Sequence, residues 1–187
     1  MEQRAYRLGR RQAAADRTRA AILAAARDLL ASGEPSMSAG AVARRAGVSR
    51  ITVYNQFGSK AGLLRELAAA ARQTWTDPAA IAQADPQDQL RARLAASCSR
   101  WAADPALFRA LPLAAMVEIE APVADRALAD SLSAAGRLRP GCSLKEAEDV
   151  IGALASFPVF DRLYKDGRRS TAAVTDVLMR LASAILA

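Results

Sequence analysis

Alanine fills 46 of the 187 positions, and that excess constrains the fold more than any other feature. Alanine has the best intrinsic helix propensity, whereas strands need β-branched and aromatic runs, and aromatics make up only 5% of this chain. The sequence therefore predicts an all-α protein of about nine helices. Histidine is absent, which removes histidine triads, imidazole acid/base chemistry and His-ligated metal sites. Two cysteines, Cys98 and Cys142, are too few for a thiolate zinc cage or a disulfide framework and read as reduced thiols. No metal and no cofactor is expected. Arg27 and Asp28 interrupt the small apolar run at residues 20–26, and Arg10-Arg11 precedes no apolar region, so neither reads as an export signal. Uncharged stretches stay well short of the ~18 residues a membrane span needs. The chain reads as cytoplasmic.

The formal charge of +7 is unevenly placed. Residues 1–65 hold twelve basic and four acidic side chains, while the remaining 122 residues hold fourteen basic and fifteen acidic ones. All of the excess positive charge lies in the first third. Such asymmetry fits a polyanion-binding module joined to a neutral one, although charge alone does not separate nucleic acid from an acidic membrane surface.

Pattern separates them. A helix is expected from a cap at Asp16 to about Ala31, with Ile22, Leu23, Ala26, Leu29 and Leu30 at three- and four-residue steps, ended by Ser32-Gly33-Glu34-Pro35. Ser38 caps a short second helix carrying Val42, Ala43 and Ala46. Gly47-Val48-Ser49 is a tight turn, and Ser49 caps a third helix from Arg50 to Gln56 that packs through Val53 and Phe57. A fourth helix begins near Lys60 with Leu63, Leu64 and Leu67. Two short helices about a three-residue, glycine-containing turn are the signature of a helix-turn-helix. Small Ala43 and Ala46 allow close approach, Gly47 turns the chain and Val48 plugs the corner. Arg50, Ile51, Thr52 and Asn55 are left on the outer face of the third helix, where this motif meets base edges in the major groove. The capped N-termini at Ser38 and Ser49 present backbone N–H groups to phosphates.

The string Ser38-Ala39-Gly40-Ala41-Val42-Ala43-Arg44-Arg45-Ala46-Gly47-Val48-Ser49-Arg50-Ile51-Thr52-Val53-Tyr54-Asn55-Gln56-Phe57-Gly58-Ser59-Lys60 resembles the DNA-binding motif of the TetR family of bacterial transcriptional regulators. The detailed resemblance covers about residues 16–70. Gly40 and Ala41, where the family more often has longer polar residues, and Ile51, where a small residue is common, depart from the pattern and bear on base preference. The resemblance implies that Tyr54 and Lys60 grip the phosphate backbone, helped by Ser38, and that Arg50, Thr52 and Asn55 face bases; the alternative role of Tyr54 is a packing aromatic with its hydroxyl at the surface. Arg44 and Arg45 either contact phosphate or solubilise the second helix. Residues 1–15, with Arg4, Arg7, Arg10 and Arg11, form a basic extension that is either a minor-groove arm or a solvated tail. The corresponding division is an extension at 1–15, a DNA-binding domain at 16–62, and a helical effector-binding and dimerisation domain at 63–187.

In that second part, Asp77-Pro78, Asp85-Pro86 and Asp104-Pro105 each read as a cap followed by proline in the first helical turn. Helices are expected at about 86–103, from 105 with a kink at Pro112, at 122–135, from a Ser143–Glu146 capping box to Asp166 with a break at Pro158, and at 170–187. No phosphate-cradling glycine loop and no convergent acid pair stands out. The resemblance implies a ligand cavity in this bundle and a homodimer interface built from the last two helices, here about 143–165 and 170–187. Trp75, Leu94, Cys98, Trp101, Phe108, Leu111, Met116 and Phe157 are the candidate pocket walls, each with ordinary core packing as its alternative role. Few charges lie on those stripes, which fits an apolar or amphipathic effector. The expected function is a homodimeric repressor that binds an inverted-repeat operator and is released by a small molecule. An activator of the same family and an architectural DNA binder without effector are the alternatives. An enzyme is disfavoured by the missing histidine and by the lack of any clustered nucleophile.

Overall fold

The computed structural model describes residues 2–32, 37–72, 85–111 and 122–187, and among these every regular element is helical, a single isolated β-bridge aside. No helix among the described residues is long and apolar enough to cross a membrane. The described residues fall into two compact units, one drawn from Met1–Gln73 and Arg109–Ala115, the other from Thr74–Phe108 and Met116–Ala187.

The first unit contains α1 (Glu2–Ala31), α2 (Ala39–Ala46), α3 (Arg50–Phe57) and α4 (Lys60–Arg72). Its core is Ile22, Ala25, Ala26 and Leu29 from α1, Val42 and Ala43 from α2, Val53 and Phe57 from α3, and Leu63, Leu64 and Leu67 from α4. One boundary differs from expectation. α1 starts at Glu2, so residues 2–15 continue the same helix, and Asp16 is no cap. Its carboxylate accepts from the Gln12 side chain 3.0 Å away, one helical turn earlier. Residues 2–15 consist largely of Ala, Arg, Gln and Leu, all strong helix formers, so nothing in that stretch forces the helix to begin at Asp16.

The second unit contains α5 (Pro86–Ala103), α6 (Pro105–Ala110), whose last residues fall in the first unit, α7 (Pro122–Ala134), α8 (Leu144–Ala155), α9 (Phe157–Asp161) and α10 (Thr171–Ala182). Asp85 caps α5 through a bond from the Gln87 N–H, Asp104 accepts from the Leu107 N–H, and Ser143 caps α8 through the Glu146 N–H at 3.1 Å. The break between α8 and α9 falls at Ser156, which leaves Pro158 inside the first turn of α9, where its missing N–H costs nothing. A π-turn at Arg162–Asp166 completes that segment before Gly167. The kink at Pro112, the Asp77-Pro78 cap, Trp75 and Met116 lie outside the described residues.

α10 ends at Ala182, five residues short of the expected 187. The last residues turn back and pair with the segment after α7. The Arg139 N–H donates to the Ile185 carbonyl at 2.9 Å, and the Ala187 N–H donates to the Arg137 carbonyl at 2.8 Å. Ile185 is thereby buried without belonging to the helical stripe. A period-3.6 pattern could not distinguish these two routes to burial.

The cysteines occupy different surroundings. Cys98 is buried on α5, and burial pushes its thiol above the ordinary value, partly offset by the Thr175 hydroxyl. Cys142 is half-buried in the turn before α8, its thiol raised by burial and then by Glu146. Reactivity follows thiolate fraction and access. An aromatic disulfide reagent at pH 8 is therefore expected to titrate one thiol per chain in the native protein, with the second appearing only on unfolding. Rapid reaction of both would contradict the packing around Cys98.

Candidate nucleic-acid interface

The interface is built from two short helices and the turn between them. Ser38 accepts from the Ala41 N–H at 3.1 Å at the start of α2, and Ser49 accepts from the Thr52 N–H at 3.0 Å at the start of α3. Gly47 supplies the left-handed conformation at φ 67° that ends α2, a region closed to most side chains. The Val48 N–H then returns to the Ala43 carbonyl at 3.0 Å, closing the corner.

α3 buries Val53 and Phe57, which turns the opposite face outward. Ile51 is 72% exposed and Tyr54 is 67% exposed, beside exposed Arg50 and Asn55. Ile51 and Tyr54 are thus the large side chains that α3 turns to solvent, opposite its buried seam. Thr52 differs from its neighbours. It is half-buried, and its hydroxyl shares a 2.8 Å hydrogen bond with Ser49. Ile51 and Asn55 therefore form the centre of the outward face, with Thr52 at its edge.

Beneath Tyr54 and Lys60 lies a cleft of about 280 Å³ floored by Met37, Val42, Val53 and Leu63, with Ser38 and Ser59 at its margin. Ser59 caps α4 by accepting from the Gly62 N–H at 3.0 Å. The first residues of α2 and α4 thus line the same largely apolar cleft as Tyr54, with Lys60 at its edge. Exposed Arg45 lies 3.6 Å from Asp28 on α1. An exposed pair of this kind is worth only about 0–1 kcal/mol, so it holds Arg45 weakly against a competing phosphate.

Two glycines carry geometry that the sequence did not advertise. A side chain at Gly40 would meet Arg50 Nε at 3.6 Å, so the arginine stem lies across the start of α2. Gly62 packs directly on the Phe57 carbonyl, and any Cβ there would collide with that backbone oxygen. The end of α3 and the first turn of α4 come together only because Gly62 has no side chain. The sole signal for it was a glycine inside a helical pattern, where it costs about 1 kcal/mol against alanine.

In the second unit, Leu94, Cys98, Trp101, Phe108 and Phe157 are all buried. Trp101 stands edge-on to Phe108 with centroids 4.7 Å apart and to Phe157 at 5.7 Å, and its indole N–H donates to the Ala155 carbonyl at 2.8 Å. The aromatic cluster continues through Phe160 to Tyr164. Leu111 is buried but falls in the first unit. The second unit also holds an ion pair nowhere apparent in the sequence pattern. Arg93 Nε donates to Asp125 Oδ1 at 2.8 Å, and the guanidinium also bonds Ser97, all three side chains being buried. Burial pushes the Asp125 carboxyl above the usual carboxylate value, and the Arg93 guanidinium offsets this only in part.

Residues 22–67 match the family model described as bacterial regulatory proteins, tetR family. Similar solved structures extend over most of the chain. NalD of Pseudomonas aeruginosa, described as the secondary repressor of the MexAB-OprM multidrug efflux pump, superposes with a TM-score of 0.64 at 24% identity, covering 91% of this chain and 98% of that one. RolR in complex with resorcinol gives 0.60 at 18% identity, covering 89% and 88%. A TetR transcriptional regulator from Rhodococcus sp. RHA1 gives 0.51 at 23%, covering 89% and 94%. No match among curated protein sequences was found.

Proposed function

We propose, from the match of residues 22–67 to the tetR family model, that the chain is a regulator of that family, a homodimeric repressor released from an inverted-repeat operator by a small apolar or amphipathic molecule. The observation that carries this reading is the outward face of α3, where Arg50, Ile51, Tyr54 and Asn55 are exposed around a buried Val53–Phe57 seam. Base-reading falls to Arg50, Ile51 and Asn55, with Thr52 at the margin. Arginine pairs bidentately with guanine and asparagine with adenine. Tyr54, Lys60, Ser38, Ser49 and Arg45 hold phosphates on either side, and the protein acts in the cytoplasm where its DNA lies.

Two recognition helices reach successive major-groove faces only if they sit about 34 Å apart, which a dimer achieves. The last helices supply its interface. On α10, Leu181 is 50% exposed next to half-buried Val177, an apolar row left over after Val174 and Leu178 are buried. Leu181→Asp is expected to shift the protein from dimer to monomer in sedimentation and to abolish tight binding to the full palindrome. An unchanged dimer would move the interface elsewhere.

The effector reading rests on the aromatic cluster of the second unit. Trp101, Phe108 and Phe157 pack against one another, so a ligand enters by displacing rings, and binding selects the opened arrangement. A conformation favoured by the ligand weakens DNA binding by its differential affinity for the two states. The resorcinol complex of RolR supports a small aromatic molecule as the kind of guest such a fold accepts. The test is iterative selection from random duplexes with the purified protein. Recovery of a palindrome, from which a small aromatic or amphipathic compound then releases the protein, is expected. Binding without sequence preference would replace this reading with an architectural one.

A further inference from the structure

Arg19, on α1, makes three contacts with one guanidinium. Nη2 lies 2.7 Å from Glu66 Oε2 on α4, Nη1 donates to the Gln56 carbonyl at 3.3 Å, and Cζ sits 4.8 Å over the Phe57 ring. Gln56 and Phe57 are the last two residues of α3. The carbonyls of a final helical turn lack intrahelical partners and carry the negative end of the helix dipole, so a cation placed there is favourable. Only a planar guanidinium with several donors can stack on the ring, bond the carbonyl and pair with the carboxylate together. Gly62 brings α4 against the same carbonyl end of α3.

We infer that Arg19 is a positioning residue which fixes the C-terminal end of α3 between α1 and α4 and so sets the angle at which Ile51 and Asn55 meet the bases. This rests on the DNA-binding reading above. The leverage is geometric. An eight-residue helix is about 12 Å long, so a tilt of about 10° about its N-terminus moves its far end by about 2 Å and Asn55, five residues along, by about 1 Å, while turning the Ile51 side chain through the same angle. A shift of about 1 Å at Asn55 takes a base-edge hydrogen bond out of its distance range. Arg19 is part-exposed, with 35% of its side chain accessible, and the competing role for it is a direct phosphate contact. Glu66 separates the two. Removing an acid from a DNA-binding surface strengthens attraction to phosphates, whereas removing the acid that holds Arg19 loosens α3.

The experiment uses the full chain, the duplex recovered by selection and a scrambled duplex of equal length, at a temperature where thermal unfolding shows every variant folded. Arg19→Gln is expected to weaken binding to the selected duplex about tenfold, as loss of a charge-assisted hydrogen bond would, while binding to the scrambled duplex changes far less. Glu66→Gln is expected to weaken selected-duplex binding in the same direction despite removing a negative charge. The double variant should be no worse than Arg19→Gln alone, because both act through one guanidinium. Arg19→Lys should recover only part of the loss. Tighter binding by Glu66→Gln to both duplexes, or equal weakening by Arg19→Gln on both with the salt slope falling by about 0.9 per lost contact, would overturn the inference in favour of a phosphate contact. Wild-type affinity in both single variants would overturn it outright. A wild-type protein that selects no duplex would sink the DNA-binding reading itself, an outcome visible before any variant is compared.

Discussion

Asp125→Ala is expected to destabilise the second unit by about 3–5 kcal/mol, because it leaves the Arg93 guanidinium buried without its carboxylate. The unfolding transition of that unit should fall by at least about 10 °C. Replacing both partners, Arg93→Met with Asp125→Leu, should restore most of the loss, since apolar side chains of similar volume escape the desolvation cost that the ion pair carries. The pH dependence has a definite sign. The Asp125 carboxyl in the folded chain holds its proton above the ordinary value of 3.8. The native state therefore binds that proton more tightly than the unfolded chain, and the contribution to stability is full below this value and declines as pH rises through the folded one. Wild type should lose stability relative to the double apolar variant as pH rises above about 4, as read by thermal unfolding over a pH series. A single-alanine variant with wild-type stability would show that the pair is dispensable to the packing of α5 against α7.

Arg50→Ala should have the larger functional effect. A bidentate base contact is worth about 1–3 kcal/mol, and a dimer makes it twice, so the loss on a palindrome is roughly 2–6 kcal/mol. Scrambled duplexes should lose only the electrostatic share of one charge per protomer, and discrimination should relax at the two symmetry-related positions that Arg50 reads. The variant should remain folded, since Arg50 is exposed and its backbone N–H is at the capped start of α3. Uniform weakening on all duplexes would instead assign Arg50 to phosphate. Gly40 sharpens the test. The Arg50 stem lies over the backbone there, so enlarging Gly40 well beyond alanine should displace Arg50 and reproduce part of its loss without altering it.

The helix-turn-helix was legible because each part has a local cause. Ser38 and Ser49 cap, Gly47 adopts a conformation that favours glycine, and Val42, Val53 and Leu63 recur at helical spacing. The same locality explains the accurate starts of α5 and α8 at Asp85 and Ser143. The first boundary of α1 was misplaced because an N-cap residue is a preference, and Asp16 serves equally well inside a helix when Gln12 donates to it. The end of α10 was misplaced because Ile185 is buried by a chain reversal that pairs residues 137–139 with 185–187.

Composition, caps and hydrophobic period determined by themselves that this chain is helical, that its first third is a basic helix-turn-helix, and which face of α3 turns outward. Those properties depend on residues within one or two turns of each other. Tertiary structure alone decided that Arg93 meets Asp125 across 32 positions, that Arg19 reaches Gln56 across 37, and that Trp101 seals the end of α8 across 54. Each joins side chains whose local patterns are unexceptional, and a charge in a sequence carries no mark of the distant group that will neutralise it. The cost of burying an unpaired charge or a bare carbonyl is felt only once the helices pack.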